Sequence, residues 1–73
     1  MRSKSDVVKV IELIGSSPES WERAVKNALE EAAKTVKNIV GIDVKGCSGV
    51  VKDGEIVEYR ANVKIAFIVE RER

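Results

Sequence analysis

The segment Glu55–Val69, EIVEYRANVKIAFIV, decides the fold of this chain. An alternation of apolar and polar residues with period two matches a β-strand and no helix, because successive side chains of a strand point to opposite faces. One face of this strand is therefore expected to lie on a core, while the other carries Arg60, Asn62 and Lys64. The apolar residues occupy the odd positions Val57, Tyr59, Ala61, Val63, Ile65, Phe67 and Val69.

The pair Asp53-Gly54, directly before this strand, predicts a two-residue hairpin turn, since a type I′ turn needs positive φ at both central positions. A second strand is expected over Ile42–Lys52. Gly46 and Gly49 interrupt it, and a bulge at either glycine would shift the pairing beyond it by one residue. A tight turn would pair Lys52 with Glu55, Ile42 with Ile65, Val44 with Val63, Asp43 with Lys64 and Cys47 with Arg60.

A further strand is predicted over Val7–Ile14, VVKVIELI, which is rich in β-branched residues and is ended by Gly15 and Ser16. The residues Ser17-Pro18-Glu19 then predict a helix start. Ser17 can cap free N–H groups, Pro18 has no N–H to lose at the first helical position, and Glu19 favours the positive end of the helix dipole.

The expected helix runs for about twenty residues and ends near Asn38, because its apolar residues recur at spacings of three and four. They are Trp21, Ala24, Val25, Ala28, Leu29, Ala32 and Val36. We therefore predict an α+β fold of order β-α-β-β, a three-stranded antiparallel sheet wrapped on one long helix. Residues 1–73 form one domain in this prediction, with 1–6 and 71–73 frayed.

Composition narrows the function classes. The chain has one cysteine and no histidine, which excludes an intrachain disulfide, histidine metal sites and the usual catalytic triads. A net charge of +1, without a long basic block, does not indicate a nucleic-acid partner. No apolar run approaches the ~20 residues of a membrane span, and no signal-peptide core is present. We expect a cytoplasmic, non-enzymatic protein.

The polar face of the last strand is the candidate functional surface. This face holds Arg60, Asn62 and Lys64 together with apolar Ile56, Ala66 and Ile68, a mixture too apolar for an ordinary solvated face. We interpret it as an interface between subunits, the alternative being a solvated face with scattered apolar residues. Association would also stabilise a chain of 73 residues, whose single core is of marginal size.

Three segments, KVIELIGSSPESWERAV, KTVKNIVGIDV and DGEIVEYRANVKIAFIVE, resemble the dodecin family over nearly the whole chain. The run from Gly15 to Ser20 is similar to the strand-to-helix turn of that family. The resemblance implies a β-α-β-β subunit, a hollow homododecamer, and flavin bound in pairs between subunits. It also implies storage of a ligand rather than catalysis.

Three positions depart from the ligand-binding pattern of the family. Gly41 stands where flavin-binding members have a stacking Trp, Arg60 follows Tyr59 where they have a Gln, and Ser48 replaces an Arg found in many bacterial members. By this resemblance Gly41, Ser48 and Arg60 are the candidate ligand-binding positions. Without the Trp we expect weak binding of FMN or riboflavin at most, since stacking of this kind contributes roughly 1 to 3 kcal/mol. Arg60 could bind phosphate or carboxylate, or pair with an acidic residue of a neighbouring subunit, which we favour.

The branch of the family without the Trp includes members described as calcium-binding. Asp53, Glu55 and Glu58 could supply oxygen ligands to calcium, although carboxylates are common in turns and no EF-hand spacing is present. Trp21 lies on the apolar stripe of the helix, which predicts a core or interface position rather than a ligand-stacking one. Cys47, beside a glycine in a strand, is expected to be an inert small residue.

These observations lead to one expected function and two alternatives. We expect a non-catalytic, dodecin-like homododecamer that binds or stores a small molecule and has no nucleic-acid or membrane partner. The first alternative is a structural or partner-binding shell. The second is a calcium-binding dodecin without an organic ligand.

Overall fold

A computed structural model describes residues 7–69, so the predicted fraying of 1–6 and 71–73 lies outside the described residues. The elements are β1 (Val7–Ser17), α1 (Trp21–Ala33), β2 (Ile39–Lys52) and β3 (Glu55–Val69). They form an antiparallel sheet of order β1-β3-β2, with α1 packed on one side. The predicted α+β class and β-α-β-β order are confirmed, as are the bounds of β3.

The core lies between α1 and the odd-numbered side chains of β3. Ala61, Val63 and Ile65 are each 0% exposed, as the alternation in the sequence predicts. The helix contributes small side chains to this core, which let its backbone approach the sheet closely. They are Ala24, Ala28 and Ala32.

Gly15 lies where the helix approaches β1 most closely. A Cβ atom built on Gly15 would lie 2.1 Å from the carbonyl oxygen of Ala24 and 2.9 Å from the Cβ of Ala28. The predicted end of β1 at Ile14 is wrong, because β1 continues through Gly15 to Ser17. Gly15 is present for close packing against α1 and does not end the strand.

The helix starts later than predicted. Ser20 is the N-cap, and its Oγ accepts a hydrogen bond of 3.0 Å from the backbone N–H of Arg23. Ser17 instead pairs with Tyr59 in the sheet, and its Oγ accepts from the N–H of Glu19 at 2.9 Å. Sheet pairing thus engages the serine that was expected to cap the helix, and the cap moves to the next serine along the chain.

The helix also ends earlier than predicted, at Ala33, after 13 residues. The carbonyl of Asn38 accepts a hydrogen bond of 3.1 Å from the N–H of Ile68, so the chain has already reached the sheet at Asn38. Asn38 has φ of 63°, a left-handed conformation that asparagine tolerates better than most residues. β2 therefore begins at Ile39, ahead of the predicted Ile42.

The hairpin turn and part of its register are confirmed. Asp53 and Gly54 have φ of 53° and 78°, as a type I′ turn requires. The predicted pairs at Lys52, Val44, Asp43 and Ile42 are present. The Cys47–Arg60 pair is wrong, because Val57 is an extra residue in β3 and moves the pairing by one from Val50 to Gly46. An extra residue in β2, Lys45, restores the predicted register beyond that stretch.

The register shift nearest the turn also changes the face on which Ile56 lies, which we had predicted to be the polar face. The pairing passes from Val50–Glu58 to Val51–Ile56, so Val57 is an extra residue in β3. The Cγ2 of Ile56 lies 3.3 Å from the place of a Cβ on Gly49, whose other neighbour there is the Trp21 ring. Ile56 therefore lies on the side of the helix, not on the polar face where we expected it.

We call the sheet surface opposite α1 the outer face. It carries the even-numbered side chains of β1 and, from Glu58 to Ile68, of β3. Among them Val8, Val10 and Ile14 of β1 are 56%, 55% and 69% exposed. The outer face thus combines a row of exposed apolar side chains with the polar side chains of β3.

Candidate functional site

Ser48 and Arg60 lie directly opposite each other in the β2–β3 ladder. The extra residue Val57 in β3 produces this pairing, since an uninterrupted register from the turn would have placed Cys47 there. Residues paired across a ladder share one face of the sheet, so both side chains belong to the outer face. The structure therefore brings together two of the three candidate positions.

Arg60 has an acidic partner within its own strand. Its Nε atom lies 3.3 Å from Oε2 of Glu58, and the two side chains are 49% and 35% exposed. An exposed ion pair of this kind contributes little to stability, in the range of about 0–1 kcal/mol. The ion pair orients the guanidinium group through Nε. Arg60 thus has an acidic partner in its own chain, whereas we had expected one from a neighbouring subunit.

An open cleft of about 330 Å³ lies beside Ser48 and Arg60. Gly46 contributes to its width, because a Cβ built there would have no atom within 4 Å. The cleft therefore offers a hydroxyl group, a guanidinium group and a carboxamide next to apolar surface. Its lining residues are Ile14, Gly46, Cys47, Ser48, Arg60 and Asn62.

Gly41 lies apart from this cleft. It pairs with Ala66, whereas Ser48 lies seven residues further along β2, which corresponds to roughly 23 Å in a strand. Gly41 lines a separate cleft of about 300 Å³. Its other lining residues are Val10, Ile42, Asp43, Lys64 and Ala66, and so no aromatic ring is among the described residues that line it.

This composition does not fit a stacked flavin. Pairwise stacking requires an aromatic surface beside Gly41, and neither Val10 nor Ala66 provides one. Trp21 does not compensate, because its Nε1 donates a hydrogen bond of 2.8 Å to the carbonyl of Ser48. Its ring also packs edge-on against Tyr59, with centroids 4.7 Å apart. Trp21 is nevertheless 38% exposed and does not belong to the core of one chain, so the predicted core position is wrong and an interface position stays a prediction.

The carboxylates near the turn do not form a metal site within one chain. Over residues 7–69 the structure contains no group of three His, Cys, Asp or Glu side chains placed to hold a metal ion. Glu58 is paired with Arg60, and Asp53 and Glu55 are exposed on the hairpin. These three carboxylates therefore do not form a metal-binding group by themselves in the described part of the chain.

Asn62 is a candidate that the sequence reasoning did not single out. Its Oδ1 atom is buried and has no hydrogen-bond partner within the part of the chain that is described. The side chain lines the cleft of Ser48 and Arg60 and also a neighbouring cleft formed with Glu12, Leu13 and Ile14. The sequence does show a short amide on the polar face of the strand. Its pairing with Gly46, however, depends on the bulge at Val57, which the sequence did not predict.

The described helix is too short and too polar to cross a membrane.

A family model described as Dodecin matches residues 7–70. The chain is 33% identical over 64 residues to a dodecin of Thermus thermophilus, covering 88% of this chain and 93% of that one. It is also 34% identical over 61 residues to a calcium dodecin of Mycobacterium tuberculosis, covering 84% and 86% of the two chains. The chain belongs to the dodecin family, and its resemblance to that family is thereby confirmed.

Solved structures agree with the fold. The dodecin of Streptomyces coelicolor superposes with a TM-score of 0.90 at 26% identity, covering 96% of this chain and 100% of that one. The structure of a calcium dodecin from Mycobacterium tuberculosis, described as having a novel calcium-binding site, gives a TM-score of 0.78 at 31% identity. That match covers 92% of this chain and 96% of the other.

Proposed function

We propose that this chain assembles into a hollow, cytoplasmic homododecamer that binds a small molecule without transforming it. The observation that carries the proposal is the composition of the outer face. Exposed apolar side chains lie there beside the cleft of Gly41 and the cleft of Ser48 and Arg60. Val8, Val10 and Ile14 form its apolar row, and Ser48 and Arg60 lie on the same face. A monomer would leave this surface in water, at a cost of about 25 cal/mol per Å² of apolar area.

The hairpin gives a second reason for assembly. β1 ends its pairing with β3 at Tyr59, so residues 55–58 pair with β2 alone. A two-stranded ribbon is at best marginally stable in isolation, and Val51 and Val57 at its tip are exposed. Contact with neighbouring subunits would cover these side chains and order the ribbon.

The ligand site proposed here is the cleft of Ser48 and Arg60. Arg60 brings N–H donors and no acceptor, which suits a phosphate, carboxylate or carbonyl oxygen. Gly41, the third family position, lines the separate cleft with Asp43 and Lys64, seven residues away along the strand. The lining of these clefts does not support a ligand held mainly by ring stacking. In this proposal polar contacts with Arg60 and Ser48 orient the ligand instead.

Native mass spectrometry tests the assembly. We expect a particle of twelve subunits of 8.0 kDa. A monomer at micromolar concentration would contradict the proposed shell, and a trimer or hexamer would leave the subunit fold but remove the dodecamer. Small molecules released by denaturing the purified particle from its natural host should then be identified by mass spectrometry. Full assembly without any bound compound would favour a structural or partner-binding shell.

Calcium binding is a second candidate, favoured by the similarity to a calcium dodecin. Because Asp53, Glu55 and Glu58 do not form a complete site in one chain, calcium would be held between subunits. Isothermal titration with calcium tests this, with Glu55→Gln as the test variant and Glu22→Gln on the helix as the matched control. Equal heats for both variants and the native chain would exclude ligation by Glu55.

A further inference from the structure

One apolar surface of the chain belongs neither to its core nor to the outer face. The helix packs mainly on β1 and β3, so the side of β2 that faces the helix is left largely uncovered. Ile42 and Val44 lie on that side, because they pair with the buried Ile65 and Val63. They are nevertheless 38% and 47% exposed.

One flank of α1 forms the second wall of this surface. Trp21 faces β2, since its Nε1 is bonded to the carbonyl of Ser48. Val25 and Leu29 follow at spacings of four residues, so they continue the same flank of the helix. We call the apolar surface between this flank and β2 the groove, and its residues are Trp21, Val25, Leu29, Ile42 and Val44.

The hairpin carries the same apolar side of the sheet beyond the helix. We call residues 50–58 the arm. Val51 and Ile56 pair with each other on the helix side of the arm and are 63% and 43% exposed. β1 ends at Ser17, opposite Tyr59, and so does not reach the arm. The chain is 57 Å long and only 20 and 15 Å across, which gives the arm reach beyond its own subunit.

Groove and arm are of a size that requires a partner. The exposed parts of their large side chains amount to roughly 400 Å², the size at which an apolar patch marks a contact surface. Each chain leaves both patches open, and a second copy offers a matching patch for each. The side chains counted are Trp21, Ile42, Val44, Val51 and Ile56.

The charges at the ends of the two patches are opposite. The turn of the arm, residues 52–55, has one basic and two acidic residues, Lys52 against Asp53 and Glu55, a net charge of −1. The connection from α1 to β2, residues 34–38, closes one end of the groove and has two lysines and no acidic residue, a net charge of +2. Lys34 is paired with Glu31 on the helix, which leaves Lys37 for the contact. Such complementarity orients an association.

We propose that the arm of one copy of this chain lies in the groove of the next copy, with its acidic turn directed to Lys37. This inference deepens the proposed function, because it rests on self-association and names the contact. The contact joins two different surfaces and is therefore heterologous, so it closes into a ring of three or more copies and not into a pair. A groove-to-groove pair would leave every arm uncovered.

Cys47 is a natural probe of this contact. It is exposed and pairs with Ala61, so it lies on the helix side of β2 beside the groove. Val51→Cys adds a thiol on the arm, four residues or roughly 13 Å along the strand, beyond the reach of about 7 Å of a disulfide. Any disulfide therefore joins two chains. Val50→Cys is the matched control, because Val50 pairs with Glu58 and points to the other side of the arm.

The assembled protein is oxidised mildly and separated on a denaturing gel without reductant. We expect most chains of Val51→Cys to migrate as covalent species larger than a dimer, linked from position 47 of one chain to position 51 of the next, as peptide mass spectrometry would identify. The native chain, Val50→Cys, and Val51→Cys combined with Cys47→Ser should all remain monomeric on the gel. Ile56→Cys, on the same side of the arm as Val51, should repeat the result and guards against one variant that fails to fold.

Two results would overturn the inference. The first is a native chain that links to dimers through Cys47, which would show groove facing groove. The second is a set of arm variants that stay unlinked although native mass spectrometry finds them fully assembled. Both results leave the proposed assembly intact, whereas a monomeric native protein at micromolar concentration would remove the assembly itself.

Discussion

Trp21 Nε1 donates a hydrogen bond of 2.8 Å to the backbone carbonyl of Ser48. This contact joins the first residue of α1 to β2, although the helix otherwise packs mainly on β1 and β3. The ring of Trp21 also lies edge-on to Tyr59, the residue before Arg60. The helix is therefore tied to the backbone of Ser48 and to the side chain that directly precedes Arg60 in β3.

Replacing Trp21 by Phe should lower stability by about 1 kcal/mol, because the hydrogen bond to Ser48 is lost while an aromatic ring remains against Tyr59. Trp21→Leu should cost roughly 0.5–1.5 kcal/mol more, since the aromatic pair is also removed. Urea unfolding followed by circular dichroism, at one fixed subunit concentration, measures both. Equal stabilities of Trp21→Phe and the native protein would show that the hydrogen bond contributes nothing net.

Gly15→Ala and Gly46→Ala form a matched pair on adjoining parts of the sheet. In the first, the new Cβ would lie 2.1 Å from the carbonyl oxygen of Ala24, so the helix must move away from β1. In the second, nothing lies within 4 Å of the new atom. We expect Gly15→Ala to cost about 1–3 kcal/mol or more, and Gly46→Ala to stay within about 0.5 kcal/mol of the native chain. Similar losses in the two variants, measured by thermal unfolding, would contradict the close contact at Gly15.

Ser20→Ala should destabilise the protein by about 1 kcal/mol, because the N–H of Arg23 loses its capping oxygen. Ser20→Gly should cost only a few tenths of a kcal/mol, since glycine is itself tolerated at this position. Ser16→Ala, an exposed position on β1, is the control for the loss of a hydroxyl group. If Ser20→Ala matched Ser16→Ala in a denaturant titration, Ser20 would not be the effective cap.

Flavin should bind much more weakly than to a family member with the stacking Trp, because Gly41 and its neighbours provide no aromatic surface. Loss of about 2 kcal/mol per ring corresponds to roughly thirtyfold in affinity. Titration of riboflavin and FMN, followed by flavin fluorescence, measures this. Submicromolar binding of riboflavin would contradict the expectation, and binding of FMN alone would assign the phosphate to Arg60.

The double variant Gly41→Trp with Arg60→Gln should shift the affinity toward flavin. There is room for the new side chain to leave the backbone, because a Cβ on Gly41 would meet only the Cβ of Ala66, at 3.9 Å. Arg60→Gln alone is the control and should not restore strong binding, since it adds no stacking surface. A double variant that binds flavin no better than the control would show that the cleft no longer has the geometry of a flavin site.

The sequence was sufficient wherever neighbouring residues determine the conformation. The alternation along β3 predicts both its bounds and its core face, since the period of a strand is local, and Ala61, Val63 and Ile65 are buried as expected. The turn at Asp53 and Gly54 was predictable for a similar reason. A type I′ turn needs positive φ at two consecutive residues, and few residue types other than Asn, Asp and Gly adopt it readily. The resemblance to the dodecin family was likewise visible in the sequence, through three matching segments and the turn from Gly15 to Ser20.

Only the tertiary structure decided the features that depend on competition between distant partners. Ser17 was the predicted helix cap, but it pairs with Tyr59 in the sheet, and Ser20 is the cap in the structure. The bulge at Val57 places Ser48, and not Cys47, opposite Arg60 and sets Gly46 beside Asn62, and the bulge at Lys45 then restores the predicted register. A shift of one residue in register reverses which side chains share a face, and its position depends on packing between strands that the local sequence does not encode.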